Sequence, residues 1–221
     1  MLRDGRAELF HLDTASYVTV LLVPSATGWV EHAGTVVLGE RELSLPGIGG
    51  LGSIADLNGR SVTGMAGFDL FLGAPTLLDV EAGLLSWPGG HGGADLGIAL
   101  DHEIVGGVAL VSARFDGVDV RLVLDTGAAH SLWVGVRPSP GDVPITVEDA
   151  LGQSVTVYQG SVQLALADSL GAVTLLRAPT FPIVEELQRR LGGRVDGLLG
   201  LSAFRALYVD RGAGELRVLR R

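Results

Sequence analysis

The sequence has no cysteine, no lysine, few aromatic residues and no long apolar run. Without thiols, disulfides and thiolate metal sites are excluded, and the five histidines are too scattered to form a recognisable ligand set. No metal and no other cofactor is therefore expected. No apolar stretch approaches bilayer length, and the opening residues, Met1 to Glu8, lack the apolar region of a secretory signal. The chain reads as soluble, with no membrane partner, and as cytoplasmic, or as secreted if a leader was removed. With lysine missing, all 16 basic residues are arginine, against 25 acidic ones and a net charge of −9. Residues 1–95 carry 11 acidic and 4 basic side chains, so a nucleic-acid partner is not expected. The terminal Arg220-Arg221 pair reads as a solvated tail.

What is present is apolar content and glycine. A hydrophobic share of 47% supports a sizeable core, and 33 glycines with modest charge suit many short strands joined by tight turns. The length fits one large or two small domains. The densest signal is at residues 118–134, where the apolar run Val118–Leu124 leads into Asp125-Thr126-Gly127-Ala128. A carboxylate at the end of a buried strand, followed by residues that turn easily, is held rigidly and marks a site. Asp-Thr-Gly is also a common turn tripeptide, so its surroundings carry the argument.

Those surroundings resemble the active-site loop of the aspartic peptidases of retropepsin-like and pepsin-like type. The likeness lies in the hydrophobic lead-in, Asp125-Thr126-Gly127-Ala128, two variable residues, and Ser131. A second apolar strand ending in a hydrophobic-hydrophobic-Gly element accompanies that loop in the family, and Val195-Asp196-Gly197-Leu198-Leu199-Gly200-Leu201 fits it, 72 residues after Asp125. The resemblance covers roughly residues 105–221 and describes half of such an enzyme.

An internal repeat supplies a second half. Asp13-Thr14-Ala15-Ser16 aligns with Asp125-Thr126-Gly127-Ala128 without a gap, and Thr19 aligns with Ser131, at an offset of 112. Gly64-Met65-Ala66-Gly67-Phe68 parallels Gly197 to Leu201 at an offset of 133, and residues 78–85 parallel 209–216 at 131. The order of the three matches is kept. Residues 88–95, rich in glycine, read as the connection between halves. The expected organisation is an N-terminal retropepsin-like lobe over 1–90, a linker or returning strand over 91–107, and a C-terminal retropepsin-like lobe over 108–221. The first half lacks a hairpin before Asp13, and residues 96–105 are the candidate replacement strand for it. The resemblance thus implies a mainly β, bilobal, pepsin-like acid-protease fold of two duplicated β-barrel lobes.

Local signals fill in the elements. In the first half, 17–23 reads as a strand, 24–28 as a turn, 35–45 as two short strands, 47–60 as a loop, 68–72 as a helical turn and 77–87 as a hairpin. In the second, Val108–Phe115 and Val118–Leu124 flank the turn pair Asp116-Gly117. Residues 143–147, 154–157 and 161–167 read as separate strands. Pro182–Leu191 has a proline start, acidic residues first, basic residues last and Gly192-Gly193 beyond, which predicts the one helix.

Peptide hydrolysis with such residues requires a water made nucleophilic and a proton for the leaving amine. Two close carboxylates that share one proton provide both. Asp13 and Asp125 are the expected catalytic pair, acting on a peptide or protein substrate. The resemblance implies that Thr14 and Thr126 lock the two loops, that Gly127, Ala128, Ala15 and Ser16 shape them, and that Ser131 and Thr19 support them from beneath. Ala15 departs from the family glycine. It also implies a flexible hairpin over the cleft, with Gly152 and Tyr158 within 149–160 as candidates in the second half and Trp29 within 26–34 in the first. A monomer is the favoured state. Two alternatives stand beside it: a homodimer that pairs Asp125 with its symmetry mate, the first lobe being degenerate, and an inactive peptide-binding module of the same fold.

Overall fold

The computed structural model describes residues 1–3, 6–7, 9–23, 28–38, 41–49, 62–71, 74–87, 96–148, 153–167 and 169–220. The protein is mainly β, with one α-helix among the described residues. Two compact units divide it, Met1–Leu70 and Phe71–Arg221.

Among the described residues the first unit forms one seven-stranded sheet in the order Arg6–Ala7, Leu2–Arg3, Gly28–Leu38, Arg41–Gly49, Val20–Leu22, Gly64–Ala66, Phe10–Leu12. Leu21, Val36 and Leu45 form its buried centre, with Met1, Phe10, Ala33 and Leu43 packed against them. Its long hairpin departs from the sequence expectation of two short strands followed by a loop from residue 47. Arg41–Gly49 runs on through Gly47, which pairs with both Val30 and Leu21. A Cβ at position 47 would come within 2.6 Å of the Ala33 and Val23 side chains, so glycine is there for close packing rather than for a turn.

Among the described residues the second unit has two sheets. An eight-stranded sheet runs His102–Val105, Val108–Phe115, Val118–Leu124, Gly197–Leu199, Ser131–Val134, Ser169–Ala178, Ser154–Leu166, Val143–Glu148. Val108–Phe115 also pairs with Ser154–Leu166 through Arg114↔Ala165 and Phe115↔Leu164, which closes six of these strands into a ring. Phe115, Leu122, Leu124, Leu164, Leu166, Leu175 and Leu199 are fully buried within it. The hairpin around Asp116-Gly117 has the expected bounds, with Phe115 opposite Val118. The expected break between 157 and 161 is absent, because Ser154–Leu166 is continuous through Gly160.

A five-stranded antiparallel sheet completes the unit in the order Ile98–Ala99, Glu215–Leu219, Ala206–Asp210, Thr76–Asp79, Leu84–Ser86. The hairpin expected near 77–87 is thus present, and it joins strands of the second half. Residues 96–105 do not supply a strand to the first-unit sheet: Ile98–Ala99 pairs with Glu215–Leu219, and His102–Val105 with Val108–Phe115. The physical reason is the tight turn at Gly106-Gly107, both at positive φ, which folds His102–Val105 straight back onto its neighbour.

Pro182–Leu191 forms the helix with the bounds that its end signals predict. Pro182 stands in the first turn, and Gly192 takes the left-handed conformation at φ 66° while its N–H donates to the Gln188 carbonyl. Val184 and Leu187 bury its apolar side. No helix among the described residues is long and apolar enough to cross a membrane.

Candidate active site

The Asp125 loop is built by three strands. Val118–Leu124 enters it, Ser131–Val134 leaves it, and Gly197–Leu199 lies between the two arms, parallel to the first and antiparallel to the second. The Asp125 N–H donates to the Leu199 carbonyl at 3.0 Å, so the carboxylate is placed by the end of the central strand. Its Oδ1 accepts the Gly127 N–H at 2.8 Å and the Ala128 N–H at 3.1 Å. Two hydrogen bonds from the loop's own backbone fix the orientation of the carboxyl group. Asp125 is buried, and Thr126 and Ser131 beside it are buried too.

Below the loop, the Ser131 hydroxyl accepts the Gly200 N–H at 3.1 Å, while the Ser131 N–H donates to the Ser202 hydroxyl at 3.1 Å. The Leu201 N–H donates to the Ala128 carbonyl at 2.9 Å. Gly200 has no room for a side chain: a Cβ there would overlap the His130 carbonyl oxygen and lie 2.7 Å from that of Ala128. Asp196 joins the outer ends of the two arms, accepting the Arg121 N–H on Oδ2 and the Val134 N–H on its carbonyl, both at 2.8 Å. Arg194, hydrogen-bonded to the Asp196 carboxylate, is held above its ordinary pKa by that bond.

The Asp13 loop repeats this arrangement within the first unit. Gly64–Ala66 lies between Phe10–Leu12, to which it is parallel, and Val20–Leu22, to which it is antiparallel. Its register is the same after the sequence offsets: Phe10↔Gly64 corresponds to Leu122↔Gly197, and Val20↔Met65 to Leu132↔Leu198. Asp13 N–H donates to the Ala66 carbonyl at 2.9 Å. Asp13 Oδ1 accepts the Ala15 N–H at 2.9 Å and the Ser16 N–H at 3.2 Å. The Thr19 hydroxyl accepts the Gly67 N–H at 3.0 Å, and the Phe68 N–H donates to the Ser16 carbonyl at 2.8 Å. Gly67 is as confined as Gly200, since a Cβ would lie 2.5 Å from the Val18 carbonyl carbon and 2.6 Å from its oxygen.

Ala15 does not distort this loop. Its Cβ meets no positive-φ penalty, because neither Ala15 nor Gly127 is among the residues at positive φ. The donated N–H is the same at both positions. Thr14 and Thr126 are both buried, whereas Asp13 is half-buried. Thr19 differs from Ser131 in also donating to Asp69 Oδ1 at 2.6 Å, a bond that has no counterpart at Ser202.

The hairpin candidates divide. Tyr158 lies on Ser154–Leu166, opposite Pro144 and Arg177, near the base of the hairpin made with Val143–Glu148; Gly152 lies outside the described residues. In the first unit the expected hairpin over 26–34 is a correction: residues 28–34 belong to one strand, Trp29 is opposite Ile48, and a register shift separates Val30 from Gly34. Residues 26 and 27 lie outside the described residues. Trp29 is 53% exposed, and Tyr17, within the Asp13 loop itself, is 48% exposed, a feature the motif comparison passed over.

Sequence reasoning also missed Arg177, Asp142 and Gly160. The available signal was a single charge in the apolar run Ala172 to Ala178, where an unpaired arginine is costly. Among the described residues no cluster of His, Asp and Glu is arranged to hold a metal ion. Compared with known proteins, the chain matches no family model and no curated sequence.

Proposed function

We propose that this protein is an aspartic endopeptidase with a bilobal, pepsin-like fold of two retropepsin-like lobes, in which Asp13 and Asp125 act as one dyad. The observation that carries the reading is the agreement of the two loops. Each aspartate follows a corresponding strand, accepts two backbone N–H groups on Oδ1 in the same pattern, and sits beside a strand held in the corresponding register. A turn aspartate of purely local role has no need of this second, threaded strand.

In the proposed reaction one carboxylate takes a proton from water as its oxygen attacks the scissile carbonyl carbon. The protonated partner supplies hydrogen to the amide as the tetrahedral species collapses and the C–N bond breaks. Two carboxyl groups brought together in such a dyad would not both ionise readily, which would keep one proton on the pair; the titration would belong to the pair, so acid and base are not assigned individually. The substrate is an extended peptide, and the hairpin Val143–Glu148 with Ser154–Leu166 is the proposed cover of the cleft.

One observation favours a second reading, the homodimer in which Asp125 pairs with its symmetry mate. Among the described residues the first unit has no strand corresponding to Val143–Glu148, and Asp13 is more exposed than Asp125. Cleavage of a mixed peptide library by wild type, Asp13→Asn and Asp125→Asn tests the choice. Loss in both variants is the expected result. Activity that survives Asp13→Asn assigns the chemistry to a dimer, and a wild type that cuts nothing leaves a peptide-binding module.

A further inference from the structure

Beyond the two loops, one buried ion pair lies at a particular place in the fold. Arg177 is 3% exposed, and its Nη1 donates to both Asp142 oxygens at 2.9 Å. Its Nη2 donates to the Ser161 carbonyl at 3.3 Å and lies 3.9 Å from Asp116 Oδ2. Asp142 is itself tied into a closed turn: its Oδ2 accepts the Ser139 N–H at 2.7 Å and its own N–H donates to the Ser139 carbonyl at 3.0 Å. Gly160 leaves the space for the pair, since a Cβ there would overlap Asp142 Oδ1 and come within 2.7 Å of Arg177 Nη1.

The strand pairing shows what the pair holds. Ser154–Leu166 pairs with Ser169–Ala178 from Tyr158↔Arg177 to Leu166↔Ser169, and no further. From Gln159↔Val143 outward to Ser154↔Glu148, its partner is Val143–Glu148. Three strands therefore become a two-stranded ribbon at Tyr158 and Gln159, and Asp142 and Arg177 meet at that line. A ribbon of two strands is marginal in water and depends on its root for orientation. The ribbon is amphipathic: Ile145 faces Val157 and Val147 faces Val155 across the strands, with Thr146 opposite Thr156 at the intervening position.

We propose that the Arg177–Asp142 pair is the hinge pin of this ribbon, a positioning device that sets its angle and limits its opening. Its effect on substrate rests on reading the ribbon as the cover of the cleft; the hinge itself does not. A buried pair of this kind contributes little net stability, because desolvation offsets attraction, whereas directional bonds from one strand to a second strand and a turn specify geometry. Apolar replacement of both partners therefore separates the roles.

The test is amide exchange followed by mass spectrometry on wild type, Arg177→Leu and the double variant R177L/D142L. The single variant leaves a buried carboxylate without its partner and serves only as the destabilised control. In the double variant, exchange over 143–158 is expected to rise about tenfold while that over 118–134 stays within about twofold, the sign of local rather than global opening. Ribbon exchange equal to wild type overturns the hinge, as does an equal rise in both segments, which makes the pair a general support. Where a peptide is cleaved, KM of the double variant is expected to rise with kcat nearly unchanged; unchanged KM with a loosened ribbon removes the ribbon from the cleft. Failure of the peptidase reading shows instead as no cleavage by wild type, and the exchange result is unaffected by it.

Discussion

The Asp13 and Asp125 loops share a backbone and differ in what surrounds it. Both carboxylates accept two loop N–H groups on Oδ1, and both loops rest on a glycine whose N–H is taken by a hydroxyl, Thr19 in one and Ser131 in the other. Around the first loop the hydroxyl reaches on to Asp69, the aspartate is half-buried, and the neighbouring hairpin carries a register shift. Around the second, the aspartate is buried, Asp196 joins the outer ends of the two arms, and a ribbon with a buried ion pair at its root stands nearby in sequence. The shared part is what orients a carboxylate. The unshared part is what shields it and, under the proposed function, what would cover a substrate, so the two aspartates are held alike in different surroundings.

That comparison is broken most severely at the carboxylates. Asp125→Asn is expected to lower kcat by a factor on the order of 10³, in line with the loss of a general acid or base, and Asp13→Asn by a similar factor. A rate assay on any cleaved peptide reads both. A large loss from the first and little from the second would show that only the backbone, and not the chemistry, is shared.

The confined glycines come next. Gly200→Ala and Gly67→Ala each force a methyl group against a carbonyl of the loop above, at a cost of about 3 kcal/mol in urea denaturation. Tolerance at one position alone would mark that loop as the looser of the two. Removing the supporting hydroxyls has a smaller effect. Ser131→Ala leaves the Gly200 N–H without its acceptor, for about 1–2 kcal/mol, and Thr19→Ala is expected to cost more because two bonds are lost. Equal costs would mean that the Asp69 bond contributes nothing net. The smallest effect is at the one departure within the motif. Ala15→Gly is expected to destabilise by about 0.4–1 kcal/mol through the unfolded chain, with little change in rate, because the position is not at positive φ. A gain in activity would show that the alanine Cβ does restrict the first loop.

Much of this was legible in the sequence because the decisive features are local. The Asp116-Gly117 hairpin and the helix at Pro182–Leu191 are specified by turn and end residues within a few positions. The threaded strand was legible through Gly197 and Gly64, since close approach to the Leu132 and Val20 carbonyls excludes any side chain. Glycines misled where their reason is non-local. Gly47 and Gly160 look like breaks, yet both lie inside long strands, one making room for Ala33 and Val23, the other for an ion pair between residues 142 and 177. The placement of Ile98–Ala99 and of Thr76–Asp79 beside the closing strands of the chain depends on pairing across more than a hundred residues, which no local pattern encodes.

The central proposal is that two aspartates of one chain form one site. Titration with a statine-type transition-state analogue, by calorimetry with the mass of the protein followed by light scattering, tests it most directly, because such an analogue binds tightly only to a working catalytic geometry. One analogue bound per chain in a monomer, with binding lost in both Asp13→Asn and Asp125→Asn, is the predicted result. One analogue per two chains, or affinity no better than that of an ordinary peptide, would contradict it.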